Sequence, residues 1–463
     1  MTRLFTAPAP IVLITLIFGG VHLCVAGFLP LIEDETYYAL WASAPSWGYY
    51  DHPPMVAWLI RAGEMMFGTT AFGVRLFHVA CFTIITPLTW HLAKTLSLSD
   101  ATATKAALAY NLSLLTLALS NFATPDAPSA LFWVATLWGM AHAVRSDRVG
   151  WWVLAGAFAG LGIQSKFTNL FLCVGILVWL GASAQGRLSA RSKGPWLAIL
   201  TAFLVIAPLV MWNAANDWVG LERQFGRISA ATFDALLPVQ FLLITAVVFS
   251  PVMTFFAIKG AAKTPGLLGW TSLPVLAYLL WHSTQHDVAA NWLIPLHPVF
   301  AIWAAMGMAG LRKSLQRIIL GISAVFAVVI IGLAFKPGTP LFTSHSPPNQ
   351  IRGWDQTVED ISTAMDATNA QWIATSQYGL TGRLAWEFPD VPVWSLVEPE
   401  RYLFRGDFPA GLCDLPGVII ERERSAPKAD DSVALTTPEQ HVERRGGTSL
   451  LYTYRVQAFQ GCQ

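Results

Sequence analysis

Apolar residues run along this chain in long blocks instead of alternating with polar ones. A window of about 19 residues, enough to cross a hydrocarbon core of roughly 30 Å at 1.5 Å per helical residue, picks out about eleven of them. They lie near 10–29, 72–93, 106–122, 127–144, 151–164, 167–184, 196–213, 237–258, 267–282, 291–310 and 318–335. The block at 151–164 is short, and only Ser165-Lys166 separates it from the next. The first block reads as a retained helix, because more hydrophobic segments follow it where a cleaved leader would be followed by a soluble chain. The pattern changes after Phe335. Lys336-Pro337-Gly338-Thr339-Pro340 is a breaker run. Beyond it Trp354 to Asn369 has the period of an amphipathic helix, and Gln371–Ser376, Val391–Leu396, Val418–Arg422 and Ser449–Val456 read as strands. The expected architecture is an α-helical integral membrane protein of about eleven transmembrane helices over residues 1–335, with an outer loop at 30–71. A small α/β domain over 336–463 follows it.

Composition agrees with that reading. Of 463 residues, 54% are hydrophobic and 12% charged, about half the charged share of a soluble chain. The 29 Lys and Arg nearly balance the 28 Asp and Glu, so no charge excess points to nucleic acid. Placement says more than the sum. Basic residues gather in alternate loops (Arg3; Lys94 and Lys105; Arg145 and Arg148; Arg187, Arg191 and Lys193; Lys259 and Lys263; Arg312, Lys313 and Arg317). The positive-inside rule assigns these to the cytoplasm, which puts the C-terminal domain outside. Cys24, Cys81 and Cys173 fall in apolar helices and read as small buried hydrophobes. Cys413 and Cys462 share the outer domain, where a disulfide is open to them.

The outer loop carries the densest chemistry. Glu33-Asp34-Glu35 is followed by Tyr37-Tyr38, Trp41, Trp47-Gly48-Tyr49-Tyr50-Asp51-His52-Pro53-Pro54 and Trp58. Three acids in a row at a membrane surface cost solvation unless something uses or pairs them. Two readings stand. The acids could simply open an interfacial helix, where the helix dipole favours carboxylates, with the aromatics forming an interface belt. Alternatively, one of them is a catalytic carboxylate.

The run Asp34-Glu35-x-x-Tyr38, Trp41, Gly48-Tyr49-Tyr50-Asp51-His52-Pro53-Pro54-Met55 and Trp58 resembles the first outer loop of the GT-C superfamily of polyprenyl-phosphate-sugar-dependent glycosyltransferases. That group includes protein O-mannosyltransferases, aminoarabinose transferases of lipid A and lipopolysaccharide galacturonosyltransferases. Three further segments match in order: Asn121 to Asp126, Gly160 to Thr168, and His286 to Pro295 with Ala290-Asn291-Trp292. In the C-terminal domain, Gln377-Tyr378-Gly379-Leu380 adds a faint signal.

The resemblance implies an inverting sugar transfer at the outer face of a bacterial inner membrane. The donor would be a polyprenyl-phosphate-linked sugar and the acceptor a hydroxyl of lipid A, a lipopolysaccharide core or a protein. It maps the catalytic base to Asp34, with Glu35 beside it, and a phosphate-binding cation to Lys166, which by itself reads more readily as a lysine snorkelling at a helix end until the Ser165-Lys166-Phe167-Thr168 likeness reverses that preference. Tyr38, His52, Asp126, Arg223 and Arg227 are candidate donor contacts. Asp51, His52 and His286 are candidate ligands for a divalent metal ion, while His286 and its neighbour His282 also read as plain helix-end histidines. The chain departs from the aminoarabinose branch at Tyr37 and His52, where that branch has an arginine and a lysine, so its sugar is not carried over. A secondary transporter and a non-catalytic lipid- or glycan-binding protein are the rival classes. The first would show internal repeats, and the second would tolerate Asn at position 34.

Overall fold

The protein is described by a computed structural model covering residues 8–226, 233–263, 266–336, 339, 346–423, 433–435 and 439–462, with side chains described through 459 except at 433–435. Its first half is almost wholly helical: α1 (Ala9–Phe28), α2 (Glu33–Ser43), α3 (Met55–Phe67), α4 (Ala71–Thr95), α5 (Asp100–Asn111), α6 (Leu114–Leu119), α7 (Asp126–Ser146), α8 (Val149–Ser165) and α9 (Asn169–Ala182). Next come α10 (Ala184–Ser189), α11 (Gly194–Ala215), α12 (Val219–Phe225), α13 (Leu236–Phe249), α14 (Pro251–Ala261) and α15 (Leu267–His282). A 3-10 turn at Ala290–Leu296 leads into α16 (His297–Met308), and α17 (Lys313–Ala334) closes the bundle.

Among the described residues, α1, α4, α11 and α17 are long and apolar enough to cross a membrane by themselves. A fifth span is possible if α13 and α14 are one broken helix, bent by 101° where Ser250 precedes Pro251. Proline there has no amide hydrogen to continue the ladder. Two other expected spans are also interrupted. The 106–122 block divides into α5 and α6, because the Ser113 hydroxyl caps Thr116 N–H at 3.3 Å and starts a new helix. The 291–310 block begins with a 3-10 turn containing Pro295. Leu16, Leu204 and Val328 are each 67% exposed on the outer surface of the bundle. Such a surface requires an apolar solvent. Helices approach closely where side chains vanish, and a Cβ at Gly156 would lie 2.1 Å from the Ala198 carbonyl, the small-residue packing typical of membrane bundles.

The C-terminal part is α18 (Pro347–Gln350), α19 (Trp354–Thr368), β1 (Trp372–Thr375), α20 (Tyr378–Glu387) and β2 (Val393–Ser395). After 3-10 turns at Pro399–Arg405 and Ala410–Asp414 come β3 (Pro416–Arg422), β4 (Val433–Leu435), β5 (Gln440–Gly446) and β6 (Ser449–Cys462). They form a six-stranded sheet of order β2-β1-β3-β6-β4, with β5 also on β6. β1 runs parallel to β2 and β3, with Ala374 between Trp394 and Ile419, while β6 is antiparallel to its neighbours. Trp354, Ile361, Leu380, Leu384, Val418 and Tyr454 fill the core between sheet and helices. The sequence pattern anticipated β1, β2, β3, β6 and α19 but not α20, β4 or β5. Cys413 is disulfide-bonded, and the Cys462 side chain lies outside the described residues. Cys24 is exposed, not buried as expected.

Candidate active site

Helix α2 opens with the three acids, and a helix turns about 100° per residue, so three consecutive carboxylates leave it in three directions. Glu33 turns to the C-terminal domain, where it pairs with the Arg422 guanidinium, and its amide donates to Gln350 Oε1 at 3.0 Å. Glu35 turns inward. Arg75 from α4 donates Nε to Oε1 and Nη2 to Oε2, both at 2.6 Å, and the amides of Ala123 and Ile32 donate at 2.8 and 3.0 Å. Both side chains of this pair are fully buried. Glu35 thus ties α2 to α4 and does not line the cavity that Asp34 faces, so the structure separates it from the Asp34 carboxylate it was expected to act beside. With four hydrogen bonds donated to its carboxylate, it is held as an acceptor outside the cavity lining.

Asp34 alone of the three faces a cavity of about 670 Å³. Half-buried there, its Oδ1 accepts a hydrogen bond from the Tyr378 hydroxyl at 3.2 Å. Loss of water pushes its pKa up to about 6, and the neighbouring Glu33, Asp51 and Glu35 carboxylates add to the rise while the Tyr378 hydrogen bond opposes it. Tyr38 and His52 line the same wall, their rings 6.1 Å apart. Burial raises the Tyr38 hydroxyl well above its ordinary value, helped most by the Asp34 charge.

Across the cavity, the α8–α9 corner carries Lys166 and the start of α7 carries Asp126. Lys166 Nζ donates to Asp126 Oδ1 at 2.7 Å, and Asn291 Nδ2 donates to Asp126 Oδ2 at 3.0 Å. Lys166 is thus no snorkelling residue. Its side chain is 11% exposed and held at the cavity wall by a buried acid. Three of the four family-like segments, those holding Asp34, Asp126 and Lys166, meet here with Asn291 from the fourth.

Asp51 turns its carboxylate to Arg401 from the C-terminal domain, accepts from Tyr37 at 3.0 Å, and lies 3.5 Å from Arg223 Nε. Arg401 and Arg223 both lie over the Tyr50 ring, at 5.4 and 5.5 Å. Arg401 was not foreseen: 350 residues separate it from Asp51, and no local spacing links them. Its guanidinium returns a cation to the side of the cavity where Tyr37 and His52 stand. Arg227 lies outside the described residues. The expected metal ligands Asp51, His52 and His286 do not assemble, since Asp51 is engaged by two arginines and His286 stacks on His282 at 4.9 Å. Among the described residues no group of three or more His, Cys, Asp or Glu side chains is placed to hold a metal ion.

The rest of the cavity is apolar. Leu170, Phe171, Val174 and Leu177 of α9 face Val275, Tyr278 and Leu279 of α15. A neighbouring apolar cavity of about 360 Å³ shares Leu170, Cys173 and Leu177 with it. A charged end joined to an apolar slot suits an amphiphile with an anionic head.

Residues 51–212 match the family model described as dolichyl-phosphate-mannose-protein mannosyltransferase. That match includes Asp126 and Lys166 and begins after Asp34. Lipid A galacturonosyltransferase RgtD of Rhizobium johnstonii is 24% identical over 58% of this chain and 59% of its own length. An undecaprenyl phosphate-alpha-4-amino-4-deoxy-L-arabinose arabinosyl transferase of Edwardsiella ictaluri is 25% identical over 66% and 60%. The chain thus spans about 60% of the length of these curated relatives. In fold it is similar to ArnT from Cupriavidus metallidurans, with a TM-score of 0.64 at 14% identity and 97% of both chains covered. The same enzyme bound to undecaprenyl phosphate gives 0.62. In fold, in segment order and in these relatives, the chain is similar to the GT-C superfamily of glycosyltransferases.

Proposed function

We propose that this protein moves a sugar from a polyprenyl-phosphate donor to a hydroxyl of an envelope glycolipid, lipid A or lipopolysaccharide core, with inversion at the anomeric carbon. The carrying observation is that Asp34 is the member of the acidic trio that lines the cavity, together with Lys166 and a set of apolar side chains. The prenyl chain would lie along α9 and α15, with its phosphate at the Lys166 end. The acceptor oxygen attacks the anomeric carbon as the bond from that carbon to the phosphate oxygen breaks, and Asp34 takes the hydroxyl proton. The departing polyprenyl phosphate carries the developing charge, which Lys166, with Arg223 and Arg401 at the rim, is placed to meet. Lipid A as acceptor and undecaprenyl phosphate as carrier are supported by what the relatives act on and bind.

In the membrane we read eleven apolar crossings, counting α5 with α6 and α13 with α14 as one each. The cavity and the C-terminal sheet then face the periplasm, which fits the basic loops on the opposite side.

The test is Asp34→Asn in purified full-length protein in nanodiscs. Lipid A is the acceptor, and undecaprenyl-phosphate-linked galacturonic acid or 4-amino-4-deoxy-L-arabinose is the donor. Loss of a general base lowers turnover by roughly 10²–10⁴ with undecaprenyl phosphate still bound. Turnover near that of the unmodified protein overturns the assignment.

A further inference from the structure

The C-terminal domain does more than cover the membrane part, because it places a hydroxyl on the proposed base. Helix α20 starts at Tyr378 and lies directly on α2. A Cβ at Gly382 would stand 2.6 Å from the Tyr37 amide nitrogen, so only glycine lets the two helices approach this far. Around that contact the domain is fastened by Arg383 Nη1 to the Leu31 carbonyl at 2.6 Å, by Arg422 to Glu33 and by Arg401 to Asp51. The Tyr378 ring is held edge-on to Tyr37 at 4.9 Å and lies under the Arg401 guanidinium at 4.6 Å. Its hydroxyl donates to Asp34 Oδ1 at 3.2 Å.

We infer that Tyr378 is a positioning residue: its hydroxyl donates to Asp34, orients the carboxylate toward the cavity and keeps it ionised, so that the base is complete only when the C-terminal domain is docked. The charge balance around Asp34 shows why a donor is needed. Glu33 and Glu35 on its own helix, Asp51 on the following loop and Asp126 on α7 are all acidic. Of the facing cations, Lys166 is held by Asp126, and Arg401 and Arg223 by Asp51. His52 and Tyr38 complete the wall. Among the described residues, Tyr378 is the hydrogen-bond donor that reaches Asp34. Its hydroxyl is itself raised above its ordinary value, chiefly by the Asp34 charge, so it remains protonated and donating throughout the working range.

The inference rests on Asp34 being the base, but its test does not. In full-length protein labelled with carboxyl-¹³C aspartate, the Asp34 resonance is identified by its absence in Asp34→Asn and titrated. Tyr378→Phe keeps the ring, the Tyr37 edge contact and the Arg401 stacking, and removes only the oxygen. Its Asp34 midpoint should move up by about one pH unit, the size that one hydrogen bond to a charged group supports. The acidic limb of transfer from an undecaprenyl-phosphate sugar should move with it, by a roughly tenfold loss of rate on that limb, with donor KM unchanged. An unmoved midpoint in a normally folded Tyr378→Phe protein overturns the inference. Full turnover by Asp34→Asn would overturn the base assignment alone and leave the titration to decide the contact.

Discussion

Arg75 grips both carboxylate oxygens of Glu35 at 2.6 Å, with neither side chain exposed to solvent. The pair fixes the start of α2 and so the direction in which the adjacent Asp34 points.

Breaking this pair tests structure and chemistry separately. Glu35→Gln leaves the Arg75 guanidinium buried without a counter-charge, a loss of about 3–5 kcal/mol for a buried ion pair. Thermal melting in detergent should show a clearly lowered midpoint. A Glu35→Gln protein that melts normally yet is inactive would return Glu35 to a catalytic role.

The raised pKa of Asp34 predicts opposite pH trends for rate and stability. As a base it must be ionised, so transfer should fall tenfold per pH unit below about 6. For stability, the folded protein holds this proton more tightly than the unfolded chain. The contribution is therefore present below the ordinary carboxylate range near pH 4 and lost as pH rises through about 6. Asp34→Asn, neutral at every pH, should accordingly melt higher than the unmodified protein at pH 8 and equally at pH 4. A lower melting point at pH 8 would contradict the burial of this charge.

Lys166 and Asp126 call for a double-mutant cycle. Lys166→Met alone strands the Asp126 carboxylate, 3% exposed, and should destabilise by several kcal/mol. Adding Asp126→Asn removes the second charge and should restore much of that loss. If the double variant is stable but no longer binds undecaprenyl phosphate or transfers sugar, Lys166 contacts the donor. Normal transfer by the stable double variant would make the pair purely structural.

Topology is checked with fusions. A periplasm-dependent reporter after Gln463 should be active and one near Arg191 silent, and a cytoplasm-dependent reporter should give the reverse. Cytoplasmic activity at both positions would remove the eleven-crossing arrangement.

The hydrophobic blocks determined by themselves that the described part of the first 335 residues is mainly helical and needs an apolar surrounding, since twenty successive apolar side chains have few other ways to leave water. The strand patterns at 372–375, 393–395 and 416–422 were likewise local. The order of Asp34, Asp126 and Lys166 along the chain carried the family likeness and named most of the cavity's polar residues. What the chain could not reveal is which neighbour each charge would meet. Glu33, Asp34 and Glu35 are alike in a one-dimensional reading, and only the 100° helical step, together with Arg422, Tyr378 and Arg75 from distant segments, gives them separate environments. The same holds for Arg401 and Tyr378, brought to the cavity by a sheet and a helix more than 300 residues downstream. Charge pairing and pKa depend on distance and burial, quantities set by packing across the whole fold and written in no local spacing.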